Sequence, residues 1–400
     1  MAEVLKRNVV SSFLEGGWNY GTWGGPYHHL HQQRGAKYCV YNNRLMAVDQ
    51  GGDRFEEYWK QRREAGLVDT GERPIEIAGP DAEALCNKLF TRNISTLKPG
   101  RAGYGLLLYP DGGILCDGIL MRLEQDKFWY VQADGPVYSW IVAHAQRMDV
   151  RIRDPRSWVS QVQGPRALEV LAAACDGGMP EKFGYFAVAR VTMGGQPVIV
   201  SRTGWTGEMG FEWYTLPEEM EVDGERLWNH VLEAGKPFGL SICGLDSMDI
   251  RRIESGILNN ISDMDETMNP YQAGLGGFID MRKPDFIGKA ALEKAERGLL
   301  LHGLKCQAGE PLAGGAVMAG GRVIGHATAA AWSPYLDCGT AIVRLTRAED
   351  GTASGVTMQV RDGSQQPAEL VELPMYDKDK LIPRGLDKTI PEKKMLRAGI

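Results

Sequence analysis

The chain has no apolar run approaching the roughly 20 residues that a bilayer-spanning helix needs. Its opening, Met-Ala-Glu-Val-Leu-Lys-Arg-Asn, lacks the apolar region of a secretory signal. A cytoplasmic protein with no membrane partner is the expectation. Positive charge is in short supply. Against 51 Asp and Glu there are 45 Lys and Arg, and the net charge of −6 argues against a nucleic-acid surface, which needs clustered positive charge. Paired cysteines are absent too. Cys39, Cys86, Cys116, Cys175, Cys243, Cys306 and Cys338 are odd in number and never at C-x-x-C spacing, so neither a disulfide framework nor a zinc site is expected. No G-x-G-x-x-G stands at a strand–helix junction, which removes support for a Rossmann nucleotide site. His28, His29 and His31 have no acidic or cysteine partner at ligand spacing, so no metal is expected.

Glycine, by contrast, is abundant and dispersed: 50 of 400 residues, the mark of many tight turns in a strand-rich protein. Residues 53–66 carry Phe55, Tyr58 and Trp59 at helical spacing. Ile75–Ile77 alternates like a strand, and 80–90 reads as a helix. Residues 104–109 and 114–123 read as strands joined by Pro110-Asp111-Gly112-Gly113, followed by a strand at 128–132 and a helix at 136–148. A strand at 159–163, a helix at 166–174, a hairpin around 197–214 and helices at 224–235 and 243–254 complete this part. Helices alternating with groups of strands favour an α+β class over a doubly wound sheet. From about residue 300, short apolar runs alternate with Gly turns and read as a small all-β domain, 299–375. Residues 376–400 read as an extended, solvated tail, with Lys393-Lys394 in it. Residues 1–40 form a separate aromatic and Gly-rich segment.

One segment is more informative than the rest: Ser201-Arg202-Thr203-Gly204-Trp205-Thr206-Gly207-Glu208-Met209-Gly210-Phe211-Glu212. Its glycines allow close backbone approaches. Flanking apolar runs make it a hairpin that delivers Trp205, Glu208 and Glu212 to one place. An aromatic wall with fixed carboxylates suits a planar, nitrogen-rich ligand such as a pterin. An ordinary tight hairpin with surface acids has the same composition.

The segment resembles the R-T-G-Y-T-G-E-D-G-F-E signature of glycine cleavage T-proteins, with Trp205 and Met209 as departures. Gly112-Gly113-Ile114-Leu115-Cys116-Asp117 resembles the family's G-G-I-x-D-D, and Gln163-Gly164-Pro165-Arg166-Ala167 its Q-G-P-x-A. Arg252-Ile253-Glu254-Ser255-Gly256, Asp263-Met264-Asp265, Phe286-Ile287-Gly288-Lys289 and Ser333-Pro334 follow in the family's order. Within the superfamily, Tyr41–Met46, Thr91-Arg92-Asn93 and Gly204-Trp205 are similar to dimethylsulfoniopropionate demethylases. Trp140–His144, Ala145-Gln146 and Asn269-Pro270-Tyr271 are similar to tetrahydrofolate-dependent O-demethylases of methoxyaromatics. The first 40 residues match neither branch well.

The resemblance implies two intertwined α+β subdomains over 41–298, the inner one about 91–157, and a C-terminal β-barrel, arranged around a folate channel. It implies tetrahydrofolate as cofactor, with its N5 as the nucleophile and the protein orienting the reactants. Glu212 would hold the pterin ring and Trp205 would border it, with Arg202 and Glu208 from the same hairpin. Asp117 matches the aspartate beside the reacting centre, and Tyr104 on the neighbouring strand is its expected companion. Cys116 replaces the second acid of the family's pair, which weakens a strict aminomethyl-transfer reading. Asp263 and Asp265 carry no metal implication.

The leading expectation is demethylation of a small methylated donor of the dimethylsulfoniopropionate type. Methoxyaromatic O-demethylation, glycine-cleavage aminomethyl transfer and a non-catalytic folate-binding role are the alternatives. A methylsulfonium leaves as a neutral thioether. An aryl ether leaves as a phenolate and needs a proton donor, for which His28, His29, Tyr104 and Tyr109 are available. Trp18, Tyr20, Trp23, Tyr27 and His28, in the Gly-rich stretch 16–31, are the expected substrate-binding residues. The other readings of that stretch are an anchor holding the loop onto the body of the protein and a contact in a homodimer.

Overall fold

The computed structural model describes residues 9–10 and 23–397. Its centre is two sheets packed face to face. The first has six strands in the order Val188–Met193, Gln196–Ser201, Gly210–Thr215, Val159–Gln163, Ala65–Thr70, Leu240–Ile242; only the last pair is parallel. Side chains alternate across each strand. Phe211 and Trp213 therefore enter one core with the helices Ala167–Ala174 and Gly224–Gly235, while Glu212 and Tyr214 face the other way. The helix Gly224–Gly235 starts where Asp223 accepts a hydrogen bond from Arg226 N, and it buries Leu227, Trp228 and Val231.

The second sheet has five strands in the order Arg101–Leu108, Ile114–Glu124, Lys127–Gln132, Arg73–Ala78, Arg151–Arg153. Helices Ala82–Leu89 and Val137–His144 cover one face. On the opposite face Ala102, Met121, Trp129 and Val131 pack against Val159, Ile199 and Tyr214 of the six-stranded sheet. Strands Ala65–Thr70 and Arg73–Ala78 are consecutive yet belong to different sheets, so Gly71-Glu72 is the crossover between them.

A smaller sheet joins Val9–Val10, Lys37–Tyr41 and Arg44–Asp49. Its hairpin turns at Asn42-Asn43, with φ of 52° and 59°, the left-handed geometry that two-residue hairpin loops require. Asn42 Nδ2 donates to Gln132 O at 3.4 Å, so the turn docks on the five-stranded sheet. Seven strands between Leu301 and Val371 form the nearly closed C-terminal barrel. The mixed helix-and-sheet class and the barrel agree with expectation, and most elements lie within a few residues of their predicted bounds. The hairpin 37–49 is additional.

The tail corrects one expectation. Residues 376–397 contain no helix or strand but are not free in solvent. Arg63 donates to Pro391 O at 2.5 Å, Lys393 pairs with Glu56, Lys394 donates to Tyr335 O, and Arg397 pairs with Asp337. Acidic side chains and backbone carbonyls on the body thus hold the basic tail against its surface.

A buried ionic cluster joins these parts. Glu208 Oε1 accepts from Arg62 at 2.5 Å and from Arg251 at 2.7 Å. Arg251 also donates to Glu254 and to the Tyr376 hydroxyl. Glu254 accepts from Tyr58 at 2.8 Å and from Ser333 at 2.5 Å. Helix Arg54–Arg63, the Gly-rich hairpin, helix Leu245–Glu254, the barrel and the tail meet there. Removing one partner leaves buried charge uncompensated. Glu208→Ala is therefore expected to cost about 3–5 kcal/mol, read as a lower urea midpoint; an unchanged midpoint would show that solvent reaches the arginines.

Candidate active site

Asp117 and Tyr104 project from the face of the five-stranded sheet that turns toward the six-stranded one. Asp117 pairs with Leu106 and Tyr104 with Ile119, which puts both side chains on one face as diagonal neighbours. Tyr104 Oη donates to Asp117 Oδ2 at 2.8 Å. Oδ1 of the same carboxylate is buried without a partner. Burial pushes the Asp117 acid up to about 6; the Tyr104 bond opposes this and the charge of Asp263 adds to it. The Tyr104 ring rests on Phe278 at 4.6 Å. Cys116 is buried and donates weakly to the Asp117 carbonyl, and burial raises its thiol well above the usual range. Burial thus disfavours its nucleophilic thiolate form.

On the facing sheet, Ser201, Glu212, Gln161 and Val68 stand in one row. Glu212 accepts from Tyr214 at 2.5 Å and Thr203 at 2.7 Å. Burial raises its acid. Gln161 Nε2 donates to Glu72 Oε1 at 3.3 Å. Glu72, on the crossover, is pushed up to about 7 by burial and then by the charge of Glu212. Burial raises the Tyr41 hydroxyl well above its usual range, and the charges of Glu72 and Asp117 add to this.

Among the described residues, three buried acceptor oxygens here have no donor: Asp117 Oδ1 and Gln161 Oε1 on the facing sides of the two sheets, and Glu72 Oε2 on the crossover between them. Buried polar groups ordinarily find partners. The region therefore complements a ligand rich in N–H groups, and the pterin of tetrahydrofolate is such a ligand. The residues present fit it.

The other predicted residues are dispersed. Arg202 is half-buried and donates to Phe183 O and Arg384 O, tying the hairpin to the tail. Glu208 is engaged by Arg62 and Arg251, away from Glu212. Trp205 packs beside Leu245, with the Arg252 guanidinium 5.2 Å from its ring. The hairpin thus splits its polar groups between the Glu72 side and the arginine cluster. Tyr27 is fully buried against Trp228 and its hydroxyl accepts from Trp213. His28 packs against Tyr38 with its ring tilted by 50°, His29 lies by Glu225, and Trp23 is 69% exposed. Trp18 and Tyr20 lie outside the described residues. His31 is buried between Asp69 at 2.9 Å and Gln50 at 3.1 Å. Arg252 and Asp263 form a buried pair, and Asp265 pairs with Arg344. No metal-ligand cluster occurs among the described residues.

Sequence reasoning passed over Glu72 and Gln161. Glu72 lies between the strand Ala65–Thr70, which the sequence reading did not mark, and the strand Arg73–Ala78.

Comparisons with known proteins identify the family. Residues 27–283 match the GCVT N-terminal domain, and residues 300–377 match the glycine cleavage T-protein C-terminal barrel domain. An aminomethyltransferase of Streptomyces coelicolor is 36% identical over 370 residues, covering 88% of this chain and 96% of that protein. A trimethylamine-oxide aldolase of Ruegeria pomeroyi is 34% identical over 350 residues, 83% of this chain but 44% of the relative. The crystal structure of glycine cleavage system aminomethyltransferase T from Bartonella henselae superimposes with a TM-score of 0.79 at 25% identity, covering 89% and 98% of the two chains. The chain belongs to the glycine cleavage T-protein family, whose enzymes transfer one-carbon units and use tetrahydrofolate.

Proposed function

We propose that this enzyme moves a one-carbon unit from a small cationic donor, a sulfonium or an ammonium, to tetrahydrofolate. The observation that carries the reading is the buried Asp117 carboxylate, held by Tyr104 on one oxygen and open on the other. A fixed carboxylate in a site of low polarity stabilises a positive centre at the reacting atom. Tetrahydrofolate, when bound, supplies the N5 nucleophile. Glu212 and Glu72 would accept its pterin N–H groups.

The chain's own residues support a leaving group that departs neutral. Tyr104 donates its proton to Asp117. Tyr109 lies against Trp140 at 5.3 Å, and His28 and His29 belong to the helix His28–Gln33 beside Tyr38 and Glu225. A methoxyaromatic donor, which needs a proton at the departing phenolate, is accordingly less favoured. Dimethylsulfoniopropionate-type donors fit the charge. Aminomethyl transfer is the second reading, favoured by near full-length similarity to the Streptomyces enzyme.

Incubating the enzyme with tetrahydrofolate and isotope-labelled sulfonium, N-methylamine or methoxyaromatic donors distinguishes these classes by mass spectrometry. Label in 5-methyltetrahydrofolate from a cationic donor is expected. Label from vanillate-like compounds alone would overturn the proposal, and 5,10-methylenetetrahydrofolate formed only with an aminomethyl-loaded lipoyl carrier would establish the second reading.

The Asp117 shift gives a pH test. With the folded acid at about 6 against an ordinary 3.8, the native state keeps this proton between about pH 4 and 6 while the unfolded chain releases it. Asp117 therefore costs stability as pH rises through that window, reaching ~3 kcal/mol above it. Asp117→Asn should melt higher than the native chain at pH 7.5, with the gap closing toward pH 4. It should also lose at least about 100-fold in kcat. Native turnover should fall below about pH 6 as the carboxylate protonates; a flat profile from pH 5 to 8 would remove Asp117 from the chemistry.

A further inference from the structure

Between Glu72 and Glu212 stands an amide whose orientation depends on a proton. Gln161 lies directly opposite Glu212 in the strand pairing, so both side chains rise from one face of the six-stranded sheet. Gln161 is fully buried. Its Nε2 donates to Glu72 Oε1 at 3.3 Å, and its Oε1 has no partner. Glu72 Oε2 is buried and has none either. Glu212 is better supplied, because Tyr214 and Thr203 donate hydroxyls to its Oε2 at 2.5 and 2.7 Å.

Two carboxylates flanking one amide repel each other, and a proton on either relieves the repulsion. Two hydroxyl donors hold Glu212 in its ionised form. Glu72 has the longer amide bond, while the neighbouring Thr70 hydroxyl donates to Val159 O. The proton therefore goes to Glu72. The charged and titratable groups facing Glu72 are Glu212 and Tyr214 from one strand, Asp69 from another, and Tyr41 and Arg44 from the hairpin 37–49. Arg44 donates to the Glu72 carbonyl at 2.8 Å, not to its carboxylate.

A carboxamide has a donor on one side and an acceptor on the other, and a half-turn exchanges them. An ionised Glu72 takes Nε2 and leaves Oε1 as an acceptor in the row of Glu212. A protonated Glu72 donates instead, so the amide turns and presents Nε2. The N–H edge of a pterin is matched by the first arrangement and opposed by the second. We infer that Gln161 is a specificity-determining residue for the pterin, that Glu72 is the positioning residue that sets its amide, and that tetrahydrofolate binding expels one proton from Glu72 to solvent. The inference rests on the reading above that the pterin lies against Glu212 and Glu72.

Burial and the charge of Glu212 push the Glu72 acid up to about 7. With binding confined to the ionised form, affinity at pH 8 should exceed that at pH 6 about tenfold. Calorimetric titration of the full chain with tetrahydrofolate, in two buffers of different ionisation heat, counts the protons released. Asp117, the other raised acid, is retained in Glu72→Gln, so the difference between the native chain and that variant isolates Glu72. The difference should be close to one proton at pH 6 and close to none at pH 8. If the variant does not fold, the native count at pH 7 decides, because Asp117 with its acid at about 6 is largely ionised there; about half a proton is expected. Gln161→Leu should weaken binding at pH 8 at least tenfold. Equal proton counts in the native chain and Glu72→Gln, a native count of zero at pH 7, affinity constant from pH 6 to 8, or native affinity in Gln161→Leu would each overturn the inference and leave the pterin reading in place. If neither Glu72→Gln nor Glu212→Ala changes tetrahydrofolate affinity, the pterin lies elsewhere and both fail.

Discussion

The contact on which the rest of the structure depends is the buried alternation of Glu208, Arg62, Arg251 and Glu254. Each arginine is nearly or fully excluded from solvent, and each carboxylate bridges segments far apart in sequence. Such pairs add little net stability over a well-packed apolar substitute, but a missing member is costly. Their effect is to fix register. Glu208 cannot leave the arginines without carrying the Gly-rich hairpin with it, and the hairpin carries Glu212 two strand positions beyond Gly210. The site on the other side of the hairpin is positioned by charges that do not touch it.

With the hairpin fixed, the remaining geometry follows from two sheets sharing a two-residue crossover. Gly71 is confined by Tyr41 and Met46, since a Cβ there would approach both within 3.4 Å. Glu72 is therefore presented at the seam, beside Gln161, and its charge reaches the Tyr41 hydroxyl, as does that of Asp117.

The fold was largely legible in the sequence because its cues are local. The turn Pro110-Asp111-Gly112-Gly113, the apolar spacing of 224–235 and the strand 159–163 reproduce as elements with nearly the same bounds. Asp117 and Tyr104 were found together because thirteen residues with a turn between them place two side chains on one sheet face. The aromatic segment was less readable. Tyr27 has the composition of a binding residue and the environment of a core one, and nothing in its neighbours in sequence foretells Trp213 or Trp228. Glu208 looks like Glu212 in sequence, and only the distant arginines separate their environments.

The docked tail bears on how the chain reaches this state. Arg63 meets Pro391 across 328 residues and Glu56 meets Lys393 across 337, while Tyr376 joins the arginine cluster from beyond the barrel. On a ribosome, the helix Arg54–Arg63 emerges long before those partners exist. Until residues 376–397 have emerged, part of the surface around Arg62 and Arg251 lacks its cover, and contacts of such separation form slowly. A nascent chain that stops short of them would hold both central sheets and still lack the closure that fixes the hairpin. Emergence of this segment is thus the event after which the hairpin can become rigid.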